Sequence, residues 1–238
     1  MGMTITTGMA IPTIMPTAMI ETAGLVRLMT WLSPAFPVGG FNYSHGLEQA
    51  VASGRVADAD GLARWIATLL GRGSAWNDAV LAAASWRAAG NPAELTALAE
   101  LAEALAGSAE RHAETVNLGA AFLAAARAWG EAPVQIHEGA VAWPVAVGGV
   151  AGRAGLPLEP VLAALLNAFV TGQTQAAQRL MPLGQAGAVA VHARLEPVIA
   201  EVAAAAAAAT LDDLGSAALN AEIASMAHET LRSRIFVT

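Results

Sequence analysis

The segment from Asp58 to Gly73 admits one kind of local structure. Leu62, Trp65, Ile66, Leu69 and Leu70 recur at i, i+3, i+4, i+7 and i+8, which puts all five on one side of an α-helix. Asp58 is placed to cap that helix, and Gly71 and Gly73 to end it. The same period returns along most of the chain. Leu25, Leu28, Met29 and Leu32 mark a helix from Glu21 to Leu32 that stops before Pro34, and a short helix runs from about Ser44 to Gly54. Trp76, Val80, Ala83 and Trp86 mark another over 75–89. Asn91-Pro92-Ala93-Glu94 reads as a capping box that opens a helix carrying Leu95, Leu98, Leu101 and Leu105. Leu118, Phe122, Ala125 and Trp129 belong to a long helix ending at Gly130. From Ala132 to Gly155 the pattern loosens, and Gly148, Gly149, Gly152 and Gly155 form a small-residue face suited to close helix contact. Leu156 to Pro160 is a connector, after which Leu162, Leu165, Leu166, Phe169 and Val170 mark a strongly apolar helix. Pro182-Leu183-Gly184-Gln185 interrupts before a long helix with Val191, Leu195, Val198 and Val202, kinked at Pro197, and a last helix spans roughly Leu219 to Ser233. Strand alternation, hairpin dipeptides and repeats are absent. The expectation is an all-α fold. It is a single-domain bundle of about nine antiparallel-packed helices over residues 21–238, preceded by a flexible lead of residues 1–20.

Composition narrows the chemistry. All 12 basic residues are Arg. Without Lys the chain forms neither an ordinary P-loop nor a Schiff base, and it has no G-x-G-x-x-G. A formal charge of −7 without a basic cluster argues against nucleic acid, and no cationic amphipathic face exists for lipid. The absence of Cys removes disulfides, thiolate nucleophiles and Cys-ligated metals, and fits a reducing cytoplasm. Residues 1–20 carry no charge but lack the basic start of a signal peptide and are broken by Gly8, Pro12 and Pro16. The uncharged run from Pro160 to Gln178 holds Asn167, Gln173, Gln175 and Gln178, amides that fit a buried helix better than a membrane span. The five histidines, His45, His112, His137, His192 and His228, are dispersed and form no H-x-x-x-H pair, so each reads as an ordinary surface or core residue and no metal or cofactor is expected. Charged residues are 13 per cent of the chain against about 25 per cent in average globular proteins, which leaves either an Ala-rich surface or apolar patches for partners.

Chemical variety concentrates in two places. The first is Ser33 to Glu48. Pro34 and Pro37 forbid helix, Gly39 and Gly40 permit unusual backbone angles, and Asn42, Tyr43 (the only tyrosine), Ser44 and His45 follow in one turn. Asn42-Tyr43-Ser44-His45-Gly46 resembles G-x-S-x-G with its first glycine replaced. That elbow needs a strand running into a helix, however, and here a Pro/Gly loop precedes, so Ser44 reads as a helix cap rather than a nucleophile. Two readings of the loop stand. It is either a rigid connector with Phe36 and Phe41 in the core, or a binding surface presenting Tyr43, Ser44, His45 and Glu48. The second place is Ala227 to Thr238, where Arg232 and Arg234 precede the apolar Ile235-Phe236-Val237. This tail either tucks onto its own core or is an adhesive peptide that orders on a partner.

In this company the chain resembles the urease accessory protein UreF family. The resemblance begins with Leu32-Ser33-Pro34-Ala35-Phe36-Pro37-Val38-Gly39-Gly40-Phe41-Asn42-Tyr43-Ser44-His45-Gly46-Leu47-Glu48. It continues through Glu114-Thr115-Val116-Asn117-Leu118-Gly119, Trp143-Pro144-Val145, Pro182-Leu183-Gly184-Gln185, Leu211-Asp212-Asp213-Leu214-Gly215 and Ile223-Ala224-Ser225-Met226-Ala227-His228-Glu229-Thr230, to Ser233-Arg234-Ile235-Phe236. Departures are Gly40 where the family often has Ala, Asn42 for Ser and Asn117 for Gln. The resemblance implies an all-α, cytoplasmic, homodimerising scaffold without enzymatic activity. Its implied partners are a UreD/UreH-type accessory protein, a UreG-type GTPase and apo-urease, whose nickel centre the complex helps to assemble. It implies that Tyr43, Gln185 and Arg234 face the GTPase or its route, and that the C-terminal segment, with Arg232 and Phe236, orders against the UreD-type partner. Arg234 then either docks the GTPase or influences its hydrolysis; a hydrolase built on Ser44 and His45 is the reading from a different class.

Overall fold

The structure, a computed structural model, describes residues 20–130 and 140–237. Its described residues form ten α-helices and no strand: α1 (Thr22–Trp31), α2 (Leu47–Ala52), α3 (Ala59–Arg72), α4 (Ser74–Arg87), α5 (Pro92–Ala104), α6 (Ala109–Ala126), α7 (Trp143–Arg153), α8 (Leu158–Leu180), α9 (Gln185–Ala208) and α10 (Leu219–His228). The all-α expectation holds. Residues 1–19 of the N-terminal lead and His137 lie outside the described residues.

Helix starts follow the capping residues. Asp58 Oδ1 accepts the Gly61 amide at 2.7 Å at the head of α3. Asn91 Oδ1 accepts the Glu94 amide at 3.3 Å at the head of α5. The reciprocal half of the expected box is altered. The Asn91 backbone amide is already given to the Ala88 carbonyl, so the Glu94 carboxylate takes the Asn91 side-chain amide instead. The Ala-rich end of α9 is closed by a distant side chain: Arg87 donates to the Ala207 and Ala209 carbonyls at 2.7 and 3.0 Å, satisfying acceptors the helix end leaves open.

α4 is the central helix. It packs against α3, α5, α7, α8 and α9, and Ala75, Ala79, Val80, Leu81, Ala82, Ala83 and Ser85 are all buried. Small residues allow this crowding. A Cβ on Gly148 of α7 would lie 2.2 Å from the Ala82 carbonyl oxygen, so only glycine lets the two backbones meet there; Gly152 stands in the same relation to Trp86. Ser85 Oγ, fully buried, donates to the Val145 carbonyl at 2.7 Å across this contact. Gly155 does not belong to that face. With φ +67° and open space where a side chain would sit, it terminates α7 in the left-handed conformation.

α8 and α9 pack along each other across the four-residue turn 181–184 as an antiparallel pair, and α9 continues through Pro197. α8 begins at Leu158, inside the expected connector, because Pro160 falls in its first turn, where a missing amide costs no helical bond. α10 ends at His228, five residues before the expected Ser233, because the chain turns there to bring residues 235 and 236 back against α2. One buried cluster runs from Leu28 to Phe236. Within it Trp31 of α1 and Phe36 of the loop meet Phe122 of α6, each at 5.8 Å between ring centroids, and Phe122 meets Trp143 of α7 at 5.3 Å. These rings pin the front of the Pro/Gly loop to the core. No helix among the described residues is long and apolar enough to cross a membrane.

Candidate functional site

The loop from Ser33 to Glu48 folds as a series of tight turns. Gly39 at φ +79° starts a single 3-10 turn over Gly40–Asn42. His45 and Gly46 then both sit in the left-handed region, at φ 51° and 75°. A side chain at Gly46 would be strained and would also lie 2.8 Å from the Ser225 nitrogen of α10, so glycine is required twice over. This geometry turns Tyr43 and His45 apart from Ser44 and Glu48.

Ser44 is fully buried. Its Oγ accepts the Glu48 amide at 3.3 Å, and its carbonyl accepts the Gln173 side-chain amide of α8 at 3.0 Å. Gly46 holds the N-cap position of α2, and Ser44 assists from two residues earlier. In the isolated chain the Ser44 hydroxyl is therefore sealed within the fold and is not on display as the binding-surface reading has it. His45 Nε2 lies 2.8 Å from Glu114 Oε1, and its ring edge meets Phe169 at 4.9 Å. Glu114 is fully buried and also faces Arg111, 3.5 Å away, which in turn lies 2.5 Å from Asp78. Burial pushes the Asp78 carboxyl up, against the opposing pull of Arg111 and His45. Above this cluster is a cavity of about 120 Å³ whose wall includes Tyr43, His45, Glu114, Phe169 and Gln173. Tyr43 itself is half-buried. Phe36 fills the core as the connector reading requires, whereas Phe41 is 65 % exposed and does not.

The tail returns to this loop. The Val237 amide donates to the Asn42 carbonyl at 2.8 Å, and Arg179 of α8 donates to the Phe41 carbonyl at 2.8 Å while its guanidinium covers the Phe236 ring at 4.3 Å. The anchor is Glu48. Its Oε1 accepts the Ile235 amide at 2.7 Å, and its Oε2 accepts the Phe236 amide at 2.9 Å and faces His228 Nε2 at 3.1 Å. Burial alone would raise the Glu48 carboxyl, but the bonds from His228, Ile235 and Phe236 outweigh it and hold it below the usual glutamate range. His228 is fully buried, and its Nδ1 lies 2.7 Å from Glu110 Oε2. The other Glu110 oxygen pairs with Arg234.

Of the tail's two readings, the structure has the tail tucked onto its own core. Phe236 is only 4 % exposed, so in the isolated chain its ring and the buried Glu48 carboxylate are turned into the chain's own core. Ile235 and Val237 project outward on either side of Phe236. Gln185 is exposed at the head of α9 and lines an open groove with Phe41, Gln175, Arg179 and Leu183. Phe41 and Gln175 also border the cavity beside Tyr43, so Tyr43 and Gln185 lie on adjoining depressions. Arg232 and Arg234 are both exposed, and Arg234 is the one paired with Glu110. Sequence reasoning missed Glu110, Arg111, Asp78 and Arg179. Among the described residues no cluster of three or more His, Asp or Glu could hold a metal ion.

Residues 56–196 match the family model UreF. The chain is 56% identical over 218 residues to "Urease accessory protein UreF 1" of Brucella canis, covering 90% of this chain and 94% of that protein. It is 56% identical over 216 residues to "Urease accessory protein UreF" of Rhizobium leguminosarum bv. viciae, covering 91% and 97%. The same identity over the same length holds for its namesake from Rhizobium etli. With a family match over more than half the chain and relatives aligned along nearly their whole length, this chain belongs to the UreF family of urease accessory proteins.

Proposed function

We propose that this protein is a non-enzymatic cytoplasmic scaffold for urease maturation, working as a homodimer. It joins a UreD/UreH-type accessory protein to a UreG-type GTPase on apo-urease so that nickel, the cargo, reaches the urease centre. The observation that carries this reading is the locking of the loop and the tail, about 190 positions apart, into one surface through Glu48. Tyr43, Gln185 and Arg234 all lie on or beside that surface. A scaffold needs its contact residues held in a fixed relation before the partner arrives, because ordering them on binding subtracts from affinity. The lack of Lys supports assigning nucleotide hydrolysis to a partner, since a P-loop needs one.

For Arg234, docking is favoured over a role in the GTPase's hydrolysis. Its guanidinium is already paired with Glu110, whereas an arginine finger must be free to reach a transferring phosphoryl group. The buried hydroxyl of Ser44 weighs against the hydrolase alternative. The test is co-expression with the UreD-type protein and the GTPase, followed by size-exclusion chromatography. The three proteins are expected to elute together, and Tyr43→Ala or removal of residues 229–238 to break that complex while the helical circular dichroism persists. Elution of the unsubstituted chain apart from both partners would refute the proposal.

A further inference from the structure

Four side chains from three distant parts of the chain form a continuous path from the core to the surface. Glu48 of α2 is 5 % exposed, His228 at the end of α10 is fully buried, and Glu110 in the first turn of α6 and Arg234 in the tail have side chains 14% and 40% exposed. His228 binds Glu48 through Nε2 and Glu110 through Nδ1, so its ring fixes the Glu110 carboxylate from the buried side. One Glu110 oxygen is taken by His228, and the other is left for Arg234. The two elements carrying this path are also tied together beside it: Glu229 Oε1 accepts the Ala109 amide at 3.0 Å, and Ser108 Oγ lies 3.0 Å from Ser225 Oγ.

Taken together with the scaffold reading, on which this inference rests, these contacts show how Arg234 is held. We infer that Glu110, braced by His228, is a positioning residue that holds the Arg234 side chain in its partner-binding conformation. A guanidinium has five N–H donors in a planar fork, and Glu110 engages it through one nitrogen, Nη1. The remaining donors belong to a side chain that is 40% exposed and whose rotamer is already chosen by the Glu110 contact. They suit a carboxylate on the partner surface, which an Arg fork binds through two parallel hydrogen bonds. An Arg without this brace must give up its rotamer freedom when the partner binds. Because Glu48 holds the main chain at Ile235 and Phe236 independently, the path separates two tasks: Glu48 places the tail, and Glu110 orients the arginine that projects from it.

A double-mutant cycle tests this. The apparent affinity of the UreG-type GTPase for the complex of this chain with the UreD-type protein is measured for the unsubstituted chain, Glu110→Gln, Arg234→Ala and the double variant. Glu110→Gln is expected to weaken binding by about three- to tenfold, the cost of immobilising one long side chain at an interface. It should weaken binding no further once Arg234 is Ala. Hydrogen exchange at the Ile235 and Phe236 amides should stay slow in Glu110→Gln, showing that the tail is still docked. If Glu110→Gln loses its helical circular dichroism, Glu110→Asp, which keeps the charge and shortens the reach, enters the cycle with the same expectation. Additive losses, or full affinity in the Glu110 variant, overturn this inference alone. Absence of binding by the unsubstituted chain overturns the scaffold reading and this inference with it.

Discussion

Replacing Glu48 by Gln removes one charge and one acceptor at the point where the tail is anchored, and leaves the shape of the side chain almost unchanged. The carboxylate accepts three hydrogen bonds: Ile235 N–H on Oε1, and Phe236 N–H with His228 Nε2 on Oε2. A glutamine oxygen placed at the second position keeps two of them, and its NH₂ then points at the Ile235 amide, donor against donor. The opposite flip loses two. A hydrogen bond to a charged group contributes about 1.5–3 kcal/mol, and an amide left unpaired in a buried place costs about 1–3 kcal/mol. The better flip therefore weakens docking by about 2–4 kcal/mol, which is about 30- to 700-fold in the ratio of docked to undocked tail. Hydrogen exchange resolved at Ile235, Phe236 and Val237 reads this ratio directly, and protection at Phe236 should fall by that factor while α4 and α7 are unaffected. The pH dependence has the same origin. Burial raises the Glu48 carboxyl, the three bonds lower it more, and its folded value lies below the ordinary 4.5. Its contribution to docking is therefore complete above that ordinary value and is lost as pH falls through the lower folded one. Unchanged protection at Phe236 in Glu48→Gln, with the protein folded, would show that the tail is held by Phe236 burial and not by Glu48.

Three further outcomes follow from the packing. Gly148→Ala forces the Ala82 carbonyl away from α7 and should lower stability by about 3 kcal/mol, or roughly 6–12 °C in Tm, whereas Gly71→Ala, which meets nothing within 4 Å, should raise it slightly. Thermal melts of the two variants check both signs. Burial lowers the His192 imidazole below 6.5, so this group favours the folded state above that value and its contribution is lost as pH falls through the folded one. The drop in Tm between neutral and mildly acid solution should shrink in His192→Gln. Arg87→Met removes the donors to Ala207 and Ala209 and should fray the end of α9, seen as faster amide exchange over 205–209, by about 1–3 kcal/mol.

Helix identity was legible because it is a local property. Asp58 and Asn91 cap where their types predict, and Leu62, Ile66 and Leu70 are buried together, with Leu69 buried against Ala218 and Ala221. The glycines at 148 and 152 were readable as contact residues, but only packing reveals that their partners are Ala82 and Trp86. The candidate site was legible as two segments and not as one object. Glu48 and His228 are separated by 180 positions, and no spacing rule links a carboxylate in one short helix to the last residue of another. Glu110 stands in no motif and looks like an ordinary first-turn acid, a role that its position near the α6 N-terminus would also satisfy. The sequence signals for His228 were its place in the block from Ile223 to Thr230 and its place beside Glu229. The two side chains point apart, to Glu48 and Glu110 on one side and to the Ala109 amide on the other. Treating Phe236 as an adhesive end overlooked that Arg179, far away in sequence, supplies a cation for its ring.

The central claim is that this chain positions a GTPase on apo-urease for nickel delivery. Its most direct test is urease activation in a reconstituted mixture of apo-urease, the UreD-type protein, the GTPase, GTP and nickel, with and without this protein. The account predicts strong activation with the intact chain, and little with the chain omitted, with Tyr43→Ala or after removal of residues 229–238. Equal activation in the absence of the protein would contradict it.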